Sequence, residues 1–205
     1  MKLSVDVDGI RGFLDPVEGE ALYHWAIRGA ALGPCLEIGS YCGKSTLYLG
    51  QACQDTGQIL FAVDHHRGSE EHQPGEEYHD TELFDVENQI MDSFPEFRRT
   101  LRKAGLEETV VPVVAASKVA AKAWATPLGL VFIDGGHSLE AALIDLDCWS
   151  SQVMEGGYLL IHDIFPDPAE GGQAPYIIWN KARESGLFRE LTKVKTLGVL
   201  QRVKV

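Results

Sequence analysis

No stretch of the 205-residue sequence approaches the roughly 20 apolar residues needed to span a bilayer as a helix. The opening stretch, Met1 to Gly12, carries Asp6 and Asp8 where a secretory signal would be apolar, so the chain is expected to work in the cytoplasm without a membrane partner. Basic residues are also scarce: 18 Lys and Arg stand against 30 Asp and Glu, a formal net charge of -12. A surface of that sign repels phosphate backbones, because nucleic-acid binding depends largely on Lys and Arg displacing counterions; DNA and RNA are not expected partners. The basic cluster Arg98, Arg99, Arg102 and Lys103 repeats at helical spacing and reads as a solvated helix face. Cysteine is thin as well. Cys35, Cys42, Cys53 and Cys148 form no CxxC pair and lack the density of a disulfide scaffold, which leaves reduced thiols. With no internal repeat, low-complexity tract or linker, one domain over residues 1–205 is expected.

What is present is an alternation of apolar runs and amphipathic stretches. Asp15-Pro16-Val17-Glu18 has the form of a helix start, with Asp15 as N-cap, Pro16 in the first turn and Glu18 able to reach back to the cap, and a helix over about 16–29 follows. Short apolar strands are expected at 35–38, 58–64, 109–114, 128–133 and 158–162, with Pro112 marking an edge strand or a bulge. Helices are expected after Gly43, over 81–104 with an interruption near Pro95, over 138–149 with Leu139, Leu143, Leu146 and Trp149 on one face, and over about 175–185. Two last strands, 189–194 and 196–203, are separated by little more than Lys195, a connection that can only join antiparallel neighbours. The expected fold is α/β: a Rossmann-like three-layer sandwich with a mostly parallel seven-stranded sheet ending in an antiparallel hairpin.

The most informative segment is the turn after the first strand, Glu37-Ile38-Gly39-Ser40-Tyr41-Cys42-Gly43-Lys44-Ser45-Thr46. A phosphate-binding P-loop needs four residues between its first Gly and Gly-Lys-Ser/Thr, whereas Gly39 and Gly43 enclose only three. A dinucleotide fingerprint needs a second Gly where Tyr41 stands. The third reading, acid-x-Gly-x-x-x-Gly, resembles motif I of class I methyltransferases. Its physics is that of a tight turn approaching a ligand, with the following helix offering N–H groups to a carboxylate. A glycine turn that binds nothing is an open alternative for this segment taken alone. Asp64 closes the second strand where a ribose-binding acid is expected, with oxygens for both hydroxyls, although a strand-ending Asp also commonly starts a turn.

The later segment Ile133-Asp134-Gly135-Gly136-His137-Ser138-Leu139-Glu140 and the strand end Ile161-His162-Asp163 complete the pattern. Together, EIGSYCGKST, IDGGHSLE and IHD resemble the methyltransferase family that includes macrocin-type sugar O-methyltransferases and cephalosporin hydroxylase-like proteins, over about Cys35 to Asp163. That resemblance implies S-adenosyl-L-methionine as cofactor and a small-molecule acceptor, with methyl transfer to a hydroxyl oxygen. Glu37 would receive the methionyl ammonium. Gly39, Ser40, Tyr41, Gly43 and Ser45 would form the bend around the cofactor, Asp64 the ribose contact, His65 a neighbour of the adenine, and Ala116 and Ser117 its amino edge. Asp134 would touch both cofactor and acceptor, and His137 would act as base.

The resemblance further implies a divalent ion held by Asp134, His162 and Asp163. Metal-dependent members have two adjacent acids where this chain has His162-Asp163, and an imidazole there weakens Mg²⁺ or favours a softer ion such as Mn²⁺, Fe²⁺ or Zn²⁺. A buried imidazole bonded to backbone is the alternative for His162. A cofactor-binding half at about 35–117 and an acceptor half at about 128–205 are expected, and the family often forms homo-oligomers. The loop 65–80, with four histidines, reads as a polar lid or acceptor segment, and Tyr176 and Trp179 as core residues or acceptor walls. Two other functions stay open: a phosphotransfer protein using the Gly-Lys-Ser-Thr string, and a non-catalytic domain on the same scaffold.

Overall fold

The structure is a computed structural model and describes residues 3–68, 80–136 and 138–204. Asp15 caps the first helix, its Oδ1 accepting the Val17 N–H at 2.8 Å, with Pro16 following where no intrahelical donor is lost; α1 runs from Pro16 to Ala30. Seven strands form one sheet: β1 (Cys35–Ile38), β2 (Leu60–Asp64), β3 (Val110–Val114), β4 (Leu128–Ile133), β5 (Val153–Ile161), β6 (Phe188–Val194) and β7 (Leu197–Arg202). Their spatial order is β3-β2-β1-β4-β5-β7-β6, parallel except for β7, which runs against both β5 and β6. The expected architecture is therefore present. β3 with its Pro112 lies at the sheet edge, and Lys195 turns the hairpin at φ +50°.

Residues alternate along the central strands between two cores. Cys35, Leu60, Leu130 and Phe132 pack under α1, α2 (Lys44–Thr56) and α3 (Phe94–Ala104). Leu36, Val63, Val131 and Ile133 pack under α5 (Leu139–Trp149) and α6 (Ala174–Glu184), while the four-residue α4 (Ser117–Ala120) follows β3. Because both faces are covered, β1 and β4 are buried at every position, and each fully buried Leu or Ile contributes on the order of 1.5–3 kcal/mol. Among the described residues no helix is long and apolar enough to cross a membrane, and all four cysteines are free.

Two expectations fail locally. The helix expected over 81–104 begins only at Phe94, because Pro95 sits in its first turn and starts the helix rather than interrupting it. The preceding residues form turns and a small antiparallel ribbon, Phe84–Asp85 with Ile90–Met91. On α5, Leu139 is exposed, and Asp145 takes a buried place beside Ala142, Leu146 and Trp149. The Arg98, Arg99, Arg102 and Lys103 face of α3 is exposed as expected.

A buried acid joins sheet to helix. Glu37 of β1 has no exposure, and its Oε1 and Oε2 accept the hydroxyls of Ser45 and Thr46, at the start of α2, at 2.6 Å each. An uncompensated carboxylate there would be costly. Burial, opposed by the two hydroxyl bonds and reinforced by Asp134 and Asp64, pushes the carboxyl up to about 8, so it is mostly protonated at neutral pH. Since the unfolded carboxyl ionises near 4.5, the folded chain holds the extra proton between the two values and stability falls as pH rises through that window. Glu37→Gln preserves shape without the ionisation. Thermal melts should therefore show the variant gaining on the wild type from pH 5 to pH 8, by up to a few kcal/mol; a difference independent of pH would contradict this.

Candidate active site

The chain leaves β1 into a bend that only particular residues allow. Gly39 has φ +84°, and a Cβ there would lie 2.0 Å from the Asp134 carbonyl oxygen, so the bend closes against the end of β4 only with glycine. Tyr41 follows at φ +44°, a left-handed conformation for a bulky residue. Asp64, at the end of β2, holds this conformation. Its Oδ2 accepts the N–H groups of Ser40 at 3.0 Å and Tyr41 at 2.8 Å, and its Oδ1 that of His66 at 2.7 Å. Gly43 is the N-cap of α2 at φ +94°, and no side chain caps the helix, leaving the positive end of α2 facing the bend.

A cavity of about 450 Å³ opens along the carboxyl ends of β3, β2, β1 and β4. Of the residues singled out in the sequence, Gly39, Ser40, Tyr41, Ser45, Asp64, His65, Ala116, Ser117, Asp134 and Asp163 all line it. Glu37 and Gly43 do not. Glu37, expected to meet the methionyl ammonium, is buried behind the bend with both oxygens bonded to α2, and Gly43 shapes the bend from the same side. His137 lies outside the described residues, as do 69–79 of the histidine-rich loop; the neighbours of His137, Gly136 and Ser138, line the cavity. His65 faces the cavity, whereas His66 is buried, its Nδ1 2.9 Å from Ser93 Oγ and its ring against Phe94 and Phe97. Trp179 is in the core, Tyr176 packs against it, and neither lines the cavity.

Three contributions were not foreseen. Arg11 to Leu14 form part of the wall, tied down by Lys44 Nζ donating to the Gly12 carbonyl and by Arg11 pairing with Asp80 and Glu82. Asp145 reaches the wall from α5. Glu18 does not box the cap of α1; it is buried beneath the site, its Oε1 accepting the N–H and hydroxyl of Thr196 at 2.7 Å each. The partners lie 178 residues apart, beyond any local signal.

Glu18 also anchors the acidic end of the site. Its Oε2 is 3.1 Å from His162 Nε2, while His162 Nδ1 is 3.0 Å from Asp134 Oδ1 and 3.4 Å from Asp163 Oδ1. Burial works against the proton on His162 but is outweighed by the charge and hydrogen bond of Asp134 and by the bond to Glu18, and the imidazole is raised to about 11. On Glu18 the burial effect is likewise overcome, by bonds from His162 and Thr196, and the carboxyl falls to about 2. The pair is charged at neutral pH. Asp163, at φ +56°, turns the chain out of β5 toward the cavity.

Asp134, His162 and Asp163 do come together, with ligand atoms within 4.8 Å of one another. The donor set nonetheless suits an ion-paired imidazole better than a metal. A coordinating His needs a neutral ring with a free lone pair, and the Nδ1 that faces Asp134 and Asp163 carries the proton of a charged imidazole in place of that lone pair. The alternative of a buried imidazole holds in part: the ring is buried, and its partners are carboxylates rather than backbone.

Solved structures share this fold at low sequence identity. The O-methyltransferase NovP superposes with a TM-score of 0.70 at 17% identity, covering 91% of this chain and 80% of its own. The methyltransferase PaMTH1 of Podospora anserina, bound to SAH, gives 0.63 at 15% identity, with 94% and 80% covered. The O-methyltransferase TomG of Streptomyces achromogenes, in complex with SAM, gives 0.61 at 14% identity, with 94% and 82% covered. A family model described as a methyltransferase domain matches residues 36–164, which spans the glycine bend, Asp64, Asp134 and Asp163 and covers more than half of the chain. The chain belongs to this methyltransferase domain family.

Proposed function

We propose that the chain transfers the methyl group of S-adenosylmethionine to a hydroxyl oxygen of a small molecule, in one cytoplasmic domain whose cofactor half is 35–117 and acceptor half 128–205. One observation carries this reading: a single cavity is lined by Asp64, the glycine bend with the start of α2, and Asp134, and the strands that end there, β2, β1 and β4, lie side by side in the order that adenosine, methionine and acceptor would require. The neighbours named as O-methyltransferases, one of them with SAM bound and another methyltransferase with SAH bound, support the same cofactor and the hydroxyl acceptor by analogy. The short bend and the failure of Gly43 to reach the cavity disfavour phosphotransfer.

Three of the roughly four acceptor positions of Asp64 are taken by backbone donors, so it has room for one ribose hydroxyl rather than both. The methionyl carboxylate is suited to the N-terminal turn of α2 beside Ser45, and its ammonium to Asp134. The acceptor oxygen attacks the methyl carbon in line, the S–CH₃ bonding pair stays on sulfur, and the hydroxyl proton passes to a base. His137 is that base in this reading, an imidazole whose ordinary pKa near neutrality suits the task, with Asp134 and Asp163 orienting the acceptor hydroxyl. No step runs through a metal ion, because His162 is engaged as described.

Calorimetry should detect binding of S-adenosylhomocysteine and none of ATP; the reverse would refute the cofactor. Asp64→Ala should weaken that binding by about tenfold or more, and near-normal affinity would remove Asp64 from the ribose contact. His137→Ala should slow methyl transfer by about 100-fold or more while S-adenosylhomocysteine affinity holds; full turnover would reject it as base. Turnover should be undiminished in EDTA, and loss of activity restored by added Mn²⁺ or Mg²⁺ would contradict the ion-paired role of His162.

A further inference from the structure

Asp145 is at the cavity wall with only 6% exposure, yet the cofactor contacts above do not use it. Its Oδ1 accepts the hydroxyl of Ser117, and Ser117 Oγ accepts the indole N–H of Trp149 at 3.2 Å. This chain of bonds fixes the carboxylate and ties α5 to the turn after β3. Oδ2 remains. Among the described residues nothing donates to it, and no Lys or Arg pairs with Asp145. A Cβ on Gly135 would come within 2.5 Å of Oδ2, so glycine at that position is what lets the carboxylate lie against the cavity floor.

Position along the sheet edge selects the ligand group that meets this oxygen. The strand ends run β3, β2, β1, β4. With the ribose at Asp64 and the methionyl part at α2, the purine lies beyond Asp64 toward β3. There Ala115 and Ala116 bring no polar side chain, and Ser117 is already engaged with Asp145 and Trp149. Burial raises the Asp145 carboxyl to about 6, with Ser117 opposing and the like charge of Asp64 adding to the rise. A buried acceptor in that setting gains most from a ligand N–H. The donor that an adenine presents along its pairing edge is the exocyclic amine, whereas the methionyl ammonium belongs to the other end of the cavity.

We propose that Asp145, held by Ser117 and Trp149, accepts a hydrogen bond from the exocyclic amine of the cofactor's purine and makes the site select adenine over a 6-oxopurine. The inference rests on the cofactor reading of the preceding section. A 6-oxo group would set an acceptor against Asp145 and leave two acceptors opposed in a dry pocket.

Calorimetric titration of the full chain with S-adenosylhomocysteine and S-inosylhomocysteine tests it. The wild type should prefer the adenosyl compound by about tenfold or more. Asp145→Asn, whose amide can donate to a 6-oxo group, should lower that preference to near unity or invert it, and Ser117→Ala should reduce it to an intermediate value. Equal wild-type affinity for the two compounds, a ratio that needs no variant, overturns the assignment, as does an undiminished preference in a folded Asp145→Asn chain. In both cases S-adenosylhomocysteine still binds, so the cofactor reading survives; a wild type that binds neither compound overturns both.

Discussion

The bend between β1 and α2 is held by two acidic side chains, Asp64 at the end of β2 and Glu37 within β1. Asp64 accepts the N–H groups of Ser40 and Tyr41 within the bend, and Glu37 accepts the hydroxyls of Ser45 and Thr46 just beyond it. Backbone donors exposed by a left-handed Tyr41 would otherwise point into a cavity with no partner. Once both ends of the bend are fixed, α2 leaves the sheet in one direction, its N-terminus addresses the cavity, and Gly39 can close against Asp134. The electrostatic character of the two acids differs because their surroundings differ: Glu37 has no solvent and is mostly neutral, whereas Asp64 borders the cavity.

The acidic end obeys the same logic with a cation added. Glu18 of α1, Asp134 after β4 and Asp163 after β5 converge on His162, and a positively charged imidazole offsets carboxylates that would repel one another if left together. This buried cation ties α1 to the floor of the site through Glu18, which in turn holds Thr196 of the final hairpin. A fixed organic cation differs from a divalent ion in one respect that matters for chemistry. It holds Asp134 in place, yet it offers no open coordination position to an acceptor hydroxyl.

Features dictated by local periodicity and turn chemistry were legible in the sequence. The apolar runs at 35–38 and 128–133, the Gly39–Gly43 bend, the Asp15 cap and the Lys195 turn each carry their signal within a few residues. The site was legible where strand ends assemble it, because a parallel sheet brings Asp64, Ala116 and Asp134 to one edge whatever the loops do. What escaped depends on contacts distant in sequence. Glu18 read as a capping residue because nothing near it announces Thr196 or His162, and Asp145 carries no local signal because its partner Ser117 lies 28 residues away. Pro95 was misread for a different reason, since a proline marks a helix start and a helix break alike, and only the ribbon before it decides between them.

Crystals of the chain grown with S-adenosylhomocysteine test the central claim most directly, because they show which atoms the braced bend addresses. The thioether compound should lie along the ends of β3, β2 and β1, with a ribose hydroxyl on Asp64 Oδ1 and the amino-acid carboxylate at the first turn of α2. A compound bound elsewhere, or one that displaces Asp64 from the N–H groups of Ser40 and Tyr41, would contradict it.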